Sequence, residues 1–73
     1  MRLVLAVLEF GAQKYAPGNW LKVSEPHERY TNAALRHLVA RIEGEVRDPE
    51  SGLPHLAHAV CSLLFALHFE AQP

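Results

Sequence analysis

Seventy-three residues, with seven lysines and arginines against eight aspartates and glutamates, make one small domain at most, at a formal net charge of −1. The scattered basic residues exclude the electrostatic footprint of a nucleic-acid-binding protein, and no apolar run approaches the roughly 20 residues that a membrane span requires. The single cysteine, Cys61, excludes an intrachain disulfide. A core this small supplies only about 3–5 kcal/mol, so a metal or self-association is expected to supplement it, association being favoured.

The opening Met1-Arg2-Leu3-Val4-Leu5-Ala6-Val7-Leu8 has the flavour of a signal peptide, but Glu9 interrupts it and no small-residue cleavage pattern follows. The protein is therefore expected to be soluble and intracellular. Leu3, Val7, Phe10 and Lys14 share one helical face and Leu5 and Leu8 add apolar surface beside it, which predicts a helix over residues 3–13. A helix apolar most of the way round is central or at an interface. Beginning almost at residue 1, it reads as though a longer leader precedes it. Gly11 loosens this helix and Pro17-Gly18 ends regular structure.

Lys14, Tyr15, Asn19 and Trp20 follow as a cation, two aromatics and an amide beside that turn. Such a set can meet phosphate, stack on a base and read its edge. The plainer alternative is that Tyr15 and Trp20 cap the core. Ser24-Glu25-Pro26 is a helix start, with Ser24 or Glu25 at the cap and Pro26 in the first turn. The second helix is expected over 26–43, with Leu35, Leu38, Val39 and Ile42 as its core stripe and Thr31 and Ala34 admitting a close neighbour. Arg36 and His37 interrupt on adjoining faces. His37, Arg41 and Glu45 recur at spacing four.

Gly44 is the natural helix stop, and Pro49 and Gly52 keep the connector irregular. Ser51 reads as the cap and Pro54 as the first turn of a third helix over 53–70. Leu56, Val60, Leu63, Leu64 and Leu67 form the stripe expected to be buried. His55 and His58, three apart, project together from its start, and His68 reads as surface. Cys61 falls inside an apolar run and reads as a small buried hydrophobe. No alternation long enough for a strand occurs.

The connector is the chemical centre of the chain. Glu45, Asp48 and Glu50 precede His55 and His58 within fifteen residues. Clustered carboxylates repel unless a cation or protons neutralise them. Oxygen donors suit Mg²⁺, which keeps waters and substrate phosphates in its remaining positions, whereas histidine ligands tilt the choice toward Mn²⁺ or Zn²⁺. The residues alone leave open the other reading, a solvated acidic turn whose histidines cap a helix. No HExxH, Walker loop, GxSxG elbow or Rossmann glycine pattern is present.

In order, the chain carries Gly11-Ala12-Gln13-Lys14-Tyr15, Asn19-Trp20, Tyr30, Arg36-His37, Gly44-Glu45, Asp48-Pro49-Glu50-Ser51-Gly52 and His55 with His58. This order resembles the N-terminal domain of phage-type dATP/dGTP diphosphohydrolases, relatives in style of the all-α MazG-like nucleotide pyrophosphohydrolases, over residues 4–70. Glu45 and Asp48 match the second half of the MazG carboxylate pattern. The resemblance implies hydrolysis of dATP or dGTP to the monophosphate and pyrophosphate with Mg²⁺ or Mn²⁺. It implies Glu45 and Asp48 as metal ligands, Glu50 as ligand or base, and His37, His55 and His58 as groups facing metal or phosphate. Lys14 and Arg36 would meet phosphate; Tyr15, Asn19 and Trp20 would hold base or sugar.

The expectation is thus a single all-α domain over 1–73, three helices with the second and third as an antiparallel hairpin, assembled as a dimeric or tetrameric homo-oligomeric bundle. Its partner is a purine deoxynucleoside triphosphate in the cytoplasm, that of the host if phage-encoded, with neither nucleic-acid polymer nor membrane. The rival expectations are a non-catalytic nucleotide- or metal-binding module and a purely structural helical subunit.

Overall fold

The computed structural model describes residues 2–14 and 18–71. Three α-helices carry the fold: α1 (Arg2–Lys14), α2 (Pro26–Ile42) and α3 (His55–Glu70), with a short 3₁₀ turn at Asn19–Leu21 between the first two. No strand occurs among the described residues. Only an isolated antiparallel bridge joins Arg47 to Pro54.

Side-chain pairings give the topology. His27 meets Glu70, Tyr30 packs on Phe65 and Phe69, and His37 meets His55, so α2 and α3 run antiparallel as a hairpin. The Cys61 thiol donates to the Val4 carbonyl and Phe10 lies edge-on to His58, which lays α1 antiparallel along the other side of α3. The third helix is therefore the central one, and Val4, Val7, Ala57 and Cys61, with Leu53 against them, form its seam with α1.

Local chemistry accounts for the ends of α2. Pro26 stands at its first turn as expected, but the preceding Glu25 takes a left-handed φ of 48° and makes no side-chain cap bond. At the other end the Glu45 N–H donates to the Ala40 carbonyl and the Gly44 N–H to the Arg41 carbonyl. This paired closure needs a left-handed residue at its pivot, supplied by Gly44 at φ 102°. The start of α3 is two residues later than the spacing suggests. The Leu53 carbonyl is taken by the Asp48 N–H and Pro54 is held in the bridge, so the first helical residue is His55, with Pro54 rather than Ser51 at the cap position.

Burial corrects the expected stripes. The residues inside are small: Ala34 on α2, and Ala57, Ala59, Cys61 and Ala66 on α3, joined by His55. The expected core positions Leu35, Val39 and Ile42 on α2, and all of Leu56, Val60, Leu63, Leu64 and Leu67 on α3, are exposed, Ile42 by 82%. Thr31 is exposed as well and bonds back to the His27 carbonyl, so Ala34 alone admits the neighbour. On α1 the inward face is Val4 and Val7 rather than Leu3 and Val7. The helical period is real, but small side chains let α2 and α3 approach closely and the branched stripes flank the contact. On antiparallel helices, positions about 100° round from the contact in the same sense lie on the same side. The leucine stripes of α2 and α3 thus form one continuous apolar face, opposite the side that α1 covers.

Candidate functional site

The connector between α2 and α3 is a closed loop. Its two arms are tied by Asp48 N–H to the Leu53 carbonyl (2.8 Å) and His55 N–H to the Val46 carbonyl (2.8 Å), and the Gly52 N–H returns to the Asp48 carbonyl (2.7 Å). Asp48-Pro49-Glu50-Ser51 has the composition of a turn, with aspartate at the first position and proline at the second. The Asp48 carboxylate accepts from the Ser51 N–H at 3.0 Å, and the Ser51 hydroxyl accepts from the Leu53 N–H at 3.1 Å. Gly52, at φ 73°, supplies the left-handed step that lets the chain return. These bonds aim Asp48 and Ser51 at the first turn of α3.

A cluster of histidines stands there. The His55 Nδ1 and His37 Nδ1 are 2.9 Å apart, and the His55 Nε2 meets the Glu45 Oε1 at 2.7 Å. Since a carboxylate only accepts, His55 donates from Nε2 and keeps a lone pair on Nδ1, which receives the proton of His37 Nδ1. His55 is only 4% exposed, so this pairing also satisfies a buried polar ring. The His58 ring stacks on that of His37 with centroids 4.6 Å apart. Its Nε2 lies 2.6 Å from the Ser51 Oγ and 3.8 Å from the Asp48 Oδ2.

Electrostatics follow from this crowding. Burial holds both His37 and His58 below the ordinary imidazole pKa; the neighbouring histidines push His37 further down, and Asp48 opposes the effect at His58. Burial would raise the Asp48 carboxyl, yet the hydrogen bonds from Ser51, then His58 and His37, bring it below the usual carboxylate value. The cluster is therefore two neutral rings facing an ionised carboxylate near neutral pH.

Among the described residues, one donor group satisfies the proximity a metal needs: His37, Asp48 and His55 each offer a ligand atom, all within 4.8 Å of one another. Two imidazole nitrogens and a carboxylate oxygen are a chemically reasonable ligand set for a divalent ion. Of the expected metal ligands Asp48 belongs to this group, whereas Glu45 is half-exposed and held on the His55 ring. Glu50 lies apart, its carboxylate bridging to the Lys14 ammonium at 2.7 Å and 2.8 Å.

A cavity of about 780 Å³ opens between α1, the 3₁₀ turn and the hairpin, on the side away from the leucine face. Lys14, Asn19, Trp20 and Arg36 line it together with His37, Asp48, Glu50 and His58. The structure thus gathers the expected phosphate- and base-directed residues around the polar corner, apart from Tyr15, which lies outside the described residues. Trp20 serves the core as well: it stacks on Phe65 at 4.5 Å, and its carbonyl accepts from the Tyr30 hydroxyl at 2.8 Å. A smaller hollow of about 330 Å³ around Ser24, Glu28 and Arg29 contains no histidine.

Sequence reasoning passed over Ser51 as more than a helix cap. Its signal was the Asp-Pro-x-Ser turn, which sends the serine back toward its aspartate. His68 is exposed as expected, although its ring also touches Trp20 and Phe69.

Three described helices, with an antiparallel hairpin that carries a histidine–carboxylate corner at the mouth of a cavity, define a small all-α domain. The chain belongs to the family described as dATP/dGTP diphosphohydrolase, N-terminal, whose model matches residues 1–73. It is 41% identical over 64 residues to a dATP/dGTP diphosphohydrolase of Salmonella phage PMBT28, a match covering 85% of this chain and 21% of that protein. The chain thus spans about a fifth of the length of that curated relative. No solved structure matches it.

Proposed function

We propose that this domain takes part in the hydrolysis of a purine deoxynucleoside triphosphate, dATP or dGTP, to monophosphate and pyrophosphate, on the cytoplasmic nucleotide pool. The observation that carries the reading is the cavity of about 780 Å³ in which Lys14, Asn19, Trp20 and Arg36 meet His37, Asp48, Glu50 and His58. Its volume suits a nucleotide, since small-molecule sites run to about 300–1,000 Å³. Membership of the family supports the substrate class.

In this reading Arg36 offers a planar, permanently charged fork to phosphate oxygens, and Lys14 exchanges its Glu50 partner for phosphate. The Asn19 amide and the Trp20 ring edge face base and sugar. His58, kept neutral by burial, is fit to accept a proton from water, with Ser51 holding its Nε2 and Glu50 as the alternative base. A divalent ion at the corner, Mg²⁺ or Mn²⁺, would neutralise phosphate charge and lower the pKa of a bound water.

Self-association belongs to the same reading. The hairpin leaves Leu35, Val39, Ile42, Leu63, Leu64 and Leu67 exposed, an apolar area of the kind that marks an association surface. The leucine face of the hairpin is the surface that a second copy would cover, making a four-helix arrangement.

The test is pyrophosphate release from each of the four dNTPs with Mg²⁺ or Mn²⁺. Release from dATP or dGTP that falls at least tenfold in Arg36→Ala supports the proposal. A cavity that binds these nucleotides without turnover returns the domain to a binding module.

A further inference from the structure

We propose that Gly11 is the seat of the ligand's nucleoside half, an inference that rests on the nucleotide reading above. The sugar and the near edge of the purine lie directly against the α1 backbone at this residue. The missing side chain therefore sets what the cavity admits.

Glycine inside a helix is less stable than alanine, because it loses more backbone freedom on folding. The ordinary reasons for a helical glycine are absent at Gly11. It does not end the helix, since α1 continues to Lys14. Its backbone is not left-handed, unlike that of Gly18, Gly44 and Gly52. No neighbour demands the space either: a Cβ at Gly11 would meet nothing within 4 Å among the described residues. What lies beside Gly11 is the cavity of about 780 Å³, which it lines. The reason left is the one glycine serves at ligand sites, the close approach of another molecule to the backbone.

The register of α1 tells which part of the ligand comes close. Val4, Val7, Gly11 and Lys14 recur at spacings of three and four and share one face. The first half of that row is filled, Val4 and Val7 packing with Ala57 and Cys61. Its last member is a cation, held on Glu50 at 2.7 Å. Gly11 is thus the step at which the apolar seam opens, one turn before the group that would meet phosphate. Asn19 and Trp20 line the same cavity from the 3₁₀ turn. In a nucleotide, the part between an apolar seam and a phosphate-directed cation is the sugar with the adjoining base edge. A methyl group at Gly11 occupies volume that this part needs, and a close-packed contact does not yield without strain.

The experiment is calorimetric titration with dATP, dGTP and inorganic tripolyphosphate in EDTA, so that metal-dependent turnover is held off. Wild type, Gly11→Ala and Gly11→Val are compared, each with its melting curve. Gly11→Ala is expected to raise Tm by about 2–8 °C through helix propensity, while weakening both nucleotides at least fivefold. Gly11→Val is expected to weaken them at least tenfold, with tripolyphosphate affinity unchanged in both variants. Gln13→Val, on the opposite side of α1, controls for a β-branched residue in this helix and leaves nucleotide binding unchanged. Nucleotide binding by wild type that persists in Gly11→Val overturns the seat alone. So does an equal loss for nucleotide and tripolyphosphate, or a Tm that falls in Gly11→Ala. Wild-type protein that binds neither nucleotide, in EDTA or with Mg²⁺, overturns the seat and the nucleotide reading together.

Discussion

The two ends of the α2–α3 hairpin are held together in opposite ways. At the connected end, hydrogen bonds join His37, His55 and Glu45 in one set and Asp48, Ser51 and His58 in another, the stacked His37 and His58 rings link the two, and the loop backbone is itself tied. At the open end, where no connector restrains the helices, Trp20, Tyr30, Phe65 and Phe69 interlock as stacked and edge-on rings. Aromatic area is non-directional and strong, so it can close an end that topology leaves free. Hydrogen bonds contribute less net stability but define orientation, as a reactive or ligand-binding corner requires. Stability and chemistry are thus assigned to different ends of one helical pair.

The largest test of this division is Phe65→Ala. Removing the ring between Trp20 and Tyr30 is expected to cost about 2–3 kcal/mol, given its half-buried position, measured by urea unfolding. Under conditions where the variant is still folded, its Mn²⁺ affinity should stay within a few-fold, because the corner does not touch Phe65. A corner that collapses with the aromatic end would show that the two ends are one cooperative unit.

His55→Ala makes the opposite cut. It leaves the His37 and Glu45 groups without their shared partner and is expected to cost about 1–3 kcal/mol in the same measurement. It should also abolish the proposed metal binding while the ring packing at the other end, followed by Trp20 fluorescence, persists.

A charge on the leucine face tests a third region. Leu63→Glu is expected to leave the fold in place and to shift the species seen by light scattering from dimer or larger to monomer. A wild-type protein that is already monomeric would remove the proposed role of that face.

Acid should distinguish the ends without mutation. His37 and His58 bind protons less readily in the fold than the ordinary imidazole at about 6.5, so the unfolded chain takes up protons first as pH falls. Their contribution is complete above that value and is lost as pH falls toward their folded values. Asp48, whose pKa is also lowered, adds a loss in the same direction at more acid pH. In EDTA, Tm is expected to be flat between about pH 8 and pH 7 and to fall below about 6.5, with a shallower fall in His58→Gln. A Tm that rises on acidification reverses the sign and contradicts the buried neutral rings.

The smallest effect is expected at the Lys14–Glu50 pair, an exposed ion pair with side chains 40% and 60% accessible. Glu50→Gln should change stability by less than about 1 kcal/mol, less still in high salt.

Most of the helical framework could be read from local sequence. Gly44 as a stop, Pro26 as a start and the three helical periods act within a few residues of the chain, and the helix ends fall within two residues of expectation. The pairing of His55 with His58 was legible for the same reason, being a matter of one helical turn. The partners of these rings were not. Glu45 on His55, Ser51 on His58 and Glu50 on Lys14 depend on how a loop folds back over a helix start, and Lys14 and Glu50 are 36 residues apart.

Burial was the least legible property. Periodicity identifies an apolar stripe but says nothing of what covers it. Leu35, Val39 and Ile42 keep their spacing and still face outward, because Ala34, Ala59 and Ala66 take the close contact. The sequence by itself determined where the helices run, where they stop and that histidines and carboxylates gather at one connector, since these follow from short-range backbone and side-chain preferences. Only the tertiary structure decided which face of each helix is inside, which histidine shares its proton with which neighbour, and that Lys14, Asn19 and Trp20 line one cavity with the corner. Those outcomes depend on close approach between segments distant in the chain, where side-chain size and the geometry of a tied loop override the local pattern.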